Sequence, residues 1–259
     1  MSDPIRLVVF GAAGRMGQAV LGIAAHSTDL DIAAAVVRPG PEVGSRNDRL
    51  RKSEYLSALP TDLVADAVID FSGAGGFDAA LEAALANRWA LVSGSTGLSE
   101  AQKDAATRAA QVIPVLCAAN FSLGVAVLAH LVGQAARLLP DWDCEIVEAH
   151  HRHKRDAPSG TALMLGERAS AARGGEHAFA GPDRSGARPA GSIGYAVVRG
   201  GDIVGEHEVR MIGNGERIEL VHRAHDRDIF ARGAVAAARW LVSRDPGYYE
   251  LADVLGLGE

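Results

Sequence analysis

The sequence is poor in cysteine, in aromatic residues and in positive charge, and each shortage excludes a class of protein. Cys117 and Cys144 are the only cysteines among 259 residues. Two cysteines make no disulfide framework, so a reducing compartment is the default. Aromatic residues are 5% of the chain while glycine numbers 30. That balance points to an Ala/Val/Gly-rich α/β fold rather than an all-β sandwich. The formal net charge is -6, where a nucleic-acid binder carries a basic domain or stripe. No run approaches the length of an uncharged apolar span, and the first residues lack an apolar stretch of signal-peptide length. The expectation is a cytoplasmic globular protein with neither a nucleic-acid nor a membrane partner. With 48% hydrophobic and 22% charged residues, neither a disordered tail nor a fibre fits.

What is present is a regular alternation. Residues 5–10, I-R-L-V-V-F, read as a buried strand, followed by a glycine-rich turn and a short helix over 18–26. Further strands are expected at 31–37, 67–71, 89–93 and 112–116, with helices at 77–87 and 99–110. Residues 38–60 read as loop. Strands alternating with helices of this length predict a parallel sheet with right-handed crossovers. After Asn120 the pattern changes to a long helix over 122–139, a strand over 142–148 and a helix over 159–173. A Gly/Pro-rich surface loop follows at 174–189. Three consecutive strands are then expected at 192–198, 203–212 and 217–224, with tight glycine turns between them, and a helix over 229–243. The fold class is therefore α/β, a Rossmann-type parallel-sheet domain plus a smaller α+β domain.

Three segments carry chemistry. The first is G-A-A-G-R-M-G, Gly11 to Gly17, which follows a strand and opens a helix. Glycine permits close approach of phosphates to backbone, and a helix N-terminus offers free N–H groups and a favourable dipole. The alternative is a glycine-rich turn that only packs helix on strand. An acid about 20 residues further on would favour NADH by bonding the ribose 2′-OH. Here that place reads Val36-Val37-Arg38, and an arginine can pair with a 2′-phosphate. The cofactor expectation leans to NADPH, with NADH still open, and a solvated strand-end charge is the other reading of Arg38. The second segment is E-A-H-H-R-H-K-R-D-A-P-S-G-T-A, Glu148 to Ala162. Residues 150–155 are all His, Arg or Lys, an arrangement that is costly unless an anion visits or acids compensate. The helix opening at Ser159-Gly160-Thr161 adds free N–H groups and hydroxyls suited to a carboxylate. A zinc site is the rival reading of the histidines. The adjacent Lys and Arg would repel a cation and no ligand spacing matches, so no metal is expected. The third segment, R-G-G-D-I-V-G-E-H at Arg199 to His207, reads as a polar hairpin.

These motifs, together with G-S-T-G at Gly94 and A-A-N-F-S at Ala118, make the sequence resemble the 4-hydroxy-tetrahydrodipicolinate reductase (dihydrodipicolinate reductase) family over nearly its whole length. The resemblance implies an N-terminal Rossmann domain at 1–121 to which the last helix returns (229–259). It also implies a substrate-binding and tetramerisation domain at 122–228. It implies reduction of 4-hydroxy-tetrahydrodipicolinate, a small cyclic imine with two carboxylates, to tetrahydrodipicolinate with NAD(P)H and loss of water, within diaminopimelate and lysine biosynthesis, by a homotetramer. Carried over residue by residue, Gly11, Ala12, Ala13, Gly14, Arg15 and Met16 match the pyrophosphate turn and Arg38 the ribose side. Val37 departs from the acid that several members carry there. Gly94, Ser95 and Thr96, with Ala118, Ala119, Asn120 and Phe121, match segments lining the nicotinamide end. His150 matches the proton donor/acceptor and Lys154 the proton donor. His151, Ser159, Gly160 and Thr161 match substrate-carboxylate contacts. The competing readings are a different Rossmann oxidoreductase, such as a homoserine-type dehydrogenase, and a redox-sensing nucleotide-binding regulator.

Overall fold

The computed structural model describes residues 3–45, 54–175, 179–180 and 185–257. In chain order the first elements are β1 (Ile5–Phe10), α1 (Arg15–Ala25), β2 (Leu30–Val36), β3 (Tyr55–Leu56), β4 (Ala67–Asp70), α2 (Ala74–Asn87), β5 (Ala90–Ser93), α3 (Glu100–Ala109), β6 (Pro114–Cys117) and α4 (Leu123–Leu138). They continue with β7 (Asp143–His150), α5 (Gly160–Ala172), β8 (Phe179–Ala180), β9 (Ile193–Arg199), β10 (Gly205–Ile212), β11 (Arg217–Ala224), α6 (Asp228–Leu241), β12 (Gly247–Tyr249) and α7 (Leu251–Val254). The chain divides into two compact units, Met1–Leu123 with Asp228–Glu259, and Gly124–Arg227.

The first unit is built on a seven-stranded sheet in the order β12-β6-β5-β4-β1-β2-β3, with every neighbouring pair parallel. A parallel sheet needs both faces covered, which is why its central strands β1, β4 and β5 are mostly apolar. Val8 and Phe10 pack with Phe77 and Leu81 of α2 and Ala106 and Ala109 of α3. Leu7 and Val9 point to the other face by alternation and are fully buried. α6 packs beside α1 and against β4, β5 and β6. Its close seating depends on Gly233, where a Cβ would stand 1.7 Å from the carbonyl oxygen of Phe121. Ser99 caps α3 in a reciprocal pair with Gln102. The strand order reverses between β1 and β4, so the connections leaving these two neighbours run to opposite sides, the switch point at which such sheets bind ligands.

The second unit is a five-stranded mixed sheet, β11-β10-β7-β9-β8. Its alternating strands put Cys144, Ile146, Tyr195, Val209 and Met211 on one face, packed with Leu128, Val132 and Leu165 of α4 and α5. The expected hairpin of β9 and β10 is not formed. β7 lies between them, parallel to β9 and antiparallel to β10. The glycine turn instead grips the end of β7: Gly200 N–H donates to the His150 carbonyl at 3.0 Å and Arg152 N–H to the Gly201 carbonyl at 3.3 Å. Three further expectations are corrected. α1 starts at Arg15, directly after the turn, rather than at 18. β7 runs on to His150, so that histidine is held on a strand rather than in a loop. β3 interrupts the expected loop at 38–60, of which residues 46–53 lie outside the described residues. The loop expected at 174–189 lies partly outside them too, and Phe179–Ala180 within it pair with β9.

Candidate active site

In the first unit the C-terminal ends of β1, β4, β5 and β6 come into line, with Phe10 beside Asp70, Asp70 beside Ser93 and Ser93 beside Cys117. The turn after β1 is shaped by steric limits. Gly11 has φ 72°, and a Cβ on it would stand 2.6 Å from the Phe71 carbonyl oxygen. A Cβ on Gly17 would stand 2.4 Å from the Gly11 oxygen, so only glycine lets α1 start this close to the strand. Gly14 is the N-cap residue of α1 and gives it no side-chain cap. The first-turn N–H groups therefore face outward, the geometry that accepts a pyrophosphate. Ala12 is buried, while Ala13, Gly14 and Arg15 are exposed and Met16 half-buried. Gln18 holds the turn by donating to the Ala12 carbonyl at 2.8 Å. These residues fit a dinucleotide. Arg38 stands exposed just past β2, behind the buried Val37.

The nicotinamide-end candidates are placed differently from one another. Gly94 leaves no room for a side chain, since a Cβ would lie 2.1 Å from the Phe71 ring. The Ser95 hydroxyl donates to Asp70 at 2.7 Å, and Thr96 is exposed beside it. Ala118 is half-buried and Ala119 exposed. Asn120 turns back on its own loop and accepts the Ser122 N–H at 2.8 Å. Phe121 is a core residue, its ring edge-on to Phe71 with centroids 6.0 Å apart.

In the second unit one carboxylate organises the cluster. Glu148 is fully buried. It accepts from His150 Nδ1 at 2.6 Å, from both Nη atoms of Arg199 at 2.8 and 2.7 Å, and from the Ser159 N–H at 3.0 Å. Burial pushes its pKa up, but the His150 and Arg199 hydrogen bonds outweigh that and hold it at about 2. The bidentate guanidinium is the geometry in which such a pair is strongest. Because Glu148 takes Nδ1, Nε2 is the ring nitrogen of His150 left over from that contact. That nitrogen is 3.1 Å from where a Cβ on Gly205 would sit. Ser159 caps α5 by accepting the Ala162 N–H at 3.2 Å, and its hydroxyl lies 3.0 Å from His207 Nε2. Gly160 is exposed and Thr161 half-buried on the first turn that follows. The Lys154 ammonium pairs with Asp156 at 2.8 Å. The pKa of His151 is lowered, first by desolvation and then by the charges of Arg227, His153, His150 and Lys154 around it. A positive cluster of that kind gains by binding an anion.

Comparison with known proteins decides what these two units are. Residues 5–121 match the family model "Dihydrodipicolinate reductase, N-terminus" and residues 124–255 match "Dihydrodipicolinate reductase, C-terminus". The chain belongs to the dihydrodipicolinate reductase family. A 4-hydroxy-tetrahydrodipicolinate reductase of Stenotrophomonas maltophilia is 51% identical over 97% of this chain and 98% of its own. The enzyme of that name from Zymomonas mobilis is 48% identical over 98% of each. Among solved structures, dipicolinate-bound dihydrodipicolinate reductase from Paenisporosarcina superposes with a TM-score of 0.77 at 22% identity, covering 95% of this chain and 97% of that one. As a member of the dihydrodipicolinate reductase family the chain is an oxidoreductase of lysine and diaminopimelate biosynthesis that uses NAD(P)H.

Within a dihydrodipicolinate reductase, three residues here had no role in the sequence reading. Glu148 opens one motif and Arg199 and His207 bound another, and the sequence assigns them nothing more. The register of β7 brings them together, since Glu148 stands opposite His207 on β10 and His150 opposite Arg199 on β9. His207 is 4% exposed, with Nδ1 buried and without a hydrogen-bond partner among the described residues. Burial lowers its pKa to about 4, and His150 adds to the effect. The stability this lowered pKa contributes is complete above pH 6.5 and is lost as pH falls from 6.5 toward 4, where the buried ring must charge. The thermal midpoint should therefore decline over that interval. His207→Gln should show a shallower decline there. Parallel pH–Tm curves for the two proteins would contradict this.

Proposed function

We propose that the protein reduces 4-hydroxy-tetrahydrodipicolinate to tetrahydrodipicolinate, with loss of water, through residues of the two units just described. The observation that carries the residue assignment is the Glu148 hub, which ties His150 and the N-terminus of α5 to one buried charge. Gly11 to Met16 hold the pyrophosphate at the start of α1, Arg38 flanks the ribose and favours NADPH, and the 94–96 and 118–121 segments frame the nicotinamide. When bound, the reduced nicotinamide supplies the hydride. Thr161, His151, Ser159 and the Gly160 N–H at the start of α5 take the substrate carboxylates. As hydride reaches the ring carbon, electron density moves to the conjugated nitrogen side, and Lys154 and His150 stabilise it and deliver a proton.

We also propose a cytoplasmic homotetramer formed through the second sheet, acting on a small dicarboxylate without nucleic-acid or membrane partners. No described helix is long and apolar enough to cross a membrane. One face of the second sheet lies under α4 and α5. The other carries Val198 and Val221, 47% and 41% exposed, among the ion pairs Arg210–Glu208 and Arg223–Glu206. Apolar residues framed by charges of both signs suit pairing with a second copy.

The test is a coupled assay: aspartate semialdehyde, pyruvate and the upstream synthase, following oxidation of NADPH and NADH in turn. Pyridine-2,6-dicarboxylate, a planar mimic of the substrate, should raise the thermal midpoint when cofactor is present. Absence of oxidation with both cofactors, together with no stabilisation by the mimic, would remove the proposal.

A further inference from the structure

Asp70 closes β4, a strand that otherwise reads A-V-I, and is fully buried. Four donors converge on its carboxylate. Ser72 supplies its N–H at 2.9 Å and its hydroxyl at 2.5 Å, both to Oδ1, while the hydroxyls of Ser93 and Ser95 reach Oδ2 at 2.7 Å each. The direction of these bonds is fixed by what lies behind them. Ser95 Oγ accepts the Gly73 N–H at 2.8 Å, and Ser93 Oγ accepts the Ser95 N–H at 3.3 Å. Each of those hydroxyls therefore keeps its proton for Asp70. Four donors fill the acceptor sites of an ionised carboxylate, and a protonated one would have to give up a donor. No Lys, Arg or His pairs with Asp70 among the described residues. The other fully buried carboxylate among the described residues, Glu148, is paired with Arg199. Asp70 thus places an uncompensated negative charge beneath the strand ends of the nucleotide-binding unit.

We propose that Asp70 is a positioning residue of the nucleotide site with two effects. It ties the 72–73 turn to the 94–96 segment, and its charge favours the oxidised, cationic nicotinamide over the neutral reduced one. The inference rests on the reading that residues 94–96 border the nicotinamide. A reduced nicotinamide becomes a positive ring when it gives up hydride, so a fixed nearby anion stabilises the charge that the reaction creates. The serine hydroxyls satisfy the carboxylate oxygens without bringing a positive charge, as an arginine would.

The test is equilibrium binding, which is independent of turnover. Dissociation constants for NADPH, NADP+ and 2′,5′-ADP are measured with the full chain and with Asp70→Asn. The variant should lose NADP+ affinity about 3- to 30-fold more than NADPH affinity, the range of a charge–charge interaction across protein. Its affinity for 2′,5′-ADP, which has no nicotinamide, should hold. Equal losses for NADP+ and NADPH, or no loss, would overturn the electrostatic role. If wild-type protein bound none of the three ligands, the reading of the nucleotide unit would fail instead. Should Asp70→Asn not fold, the double variant Ser93→Ala/Ser95→Ala decides. It keeps the carboxylate but removes the two hydroxyls on Oδ2, so affinity for both cofactors should fall while the preference for NADP+ over NADPH persists. Loss of that preference in a variant that still carries the carboxylate would overturn the proposal.

Discussion

Lys154→Ala should lower kcat by about 100- to 10,000-fold, the usual loss for an acid–base group, while the dissociation constant for NADPH changes less than about twofold. The reasoning starts from the substrate. Hydride adds to a carbon conjugated to nitrogen, and the reaction stalls unless the electron pair arriving on the nitrogen side finds a proton. An ammonium on a flexible four-carbon stem can both stabilise that charge and release a proton, which a guanidinium cannot do. Lys154 is suited to this because it is oriented but not sealed in. Asp156 holds its Nζ at 2.8 Å, and the side chain keeps 20% of its exposure. Its charge reaches His151 and His207, whose pKa values it helps to depress. Nucleotide affinity should survive because Gly11, Gly14 and Gly17 shape their turn within the other compact unit. Lys154→Arg should recover substrate binding more than turnover. Stopped-flow oxidation of NADPH and fluorescence titration of the nucleotide separate the two quantities. Comparable losses in both would contradict a role confined to the proton.

The difference between what was legible in the sequence and what was not follows the range of the interactions. β1 and β11 have the bounds that their apolar and alternating patterns predict, since a strand's pattern is local. The sequence pattern puts the start of α1 three residues late, at 18 rather than Arg15, because Gly17 reads as a turn residue. Its helical position is set by contact with the Gly11 carbonyl, not by propensity. β3, β8 and β12 span only two or three residues and have no periodicity to detect. The larger miss was the insertion of β7 between β9 and β10, because pairing partners distant in sequence leave no local trace. That one topological fact assembles Glu148, His150, Arg199 and His207. A signal for part of it was available. In C-E-I-V-E-A-H the alternation puts Glu148 and His150 on the same face as Cys144 and Ile146, and in G-E-H-E-V-R-M it puts His207 with Val209 and Met211. Charged or polar residues in register with a core face are expensive, so they point to an internal network. Asp70 gave no such signal, because an acid ending an apolar strand looks like any strand terminus.

Glu148→Gln should damage both stability and catalysis, and the two effects have separable signatures. Glutamine keeps the shape of the side chain but offers one acceptor and one donor where the carboxylate offers acceptors on both sides. If its oxygen faces His150, its amide hydrogens face Arg199, and if it turns round, His150 Nδ1 loses its acceptor. Either arrangement strands a buried group, at a cost of about 3–5 kcal/mol when one member of a buried ion pair is removed. The stability is also linked to pH. The His150 and Arg199 hydrogen bonds hold the carboxylate at about 2, below its ordinary 4.5. Its contribution is therefore present above pH 4.5 and disappears as pH falls from 4.5 toward 2. The glutamine variant should lack that part of the acid transition. Catalysis should fall for a different reason. Without Nδ1 held by Glu148, His150 no longer presents Nε2 in one tautomer, and kcat should drop by about 100-fold or more. Loss of the Ser159 N–H contact at 3.0 Å should raise KM for the substrate as the carboxylate cradle of α5 loosens. Glu148→Asp restores the charge one methylene short and should recover part of kcat. If kcat and its pH profile stay at wild-type values in Glu148→Gln while only the thermal midpoint drops, the buried carboxylate serves the fold alone.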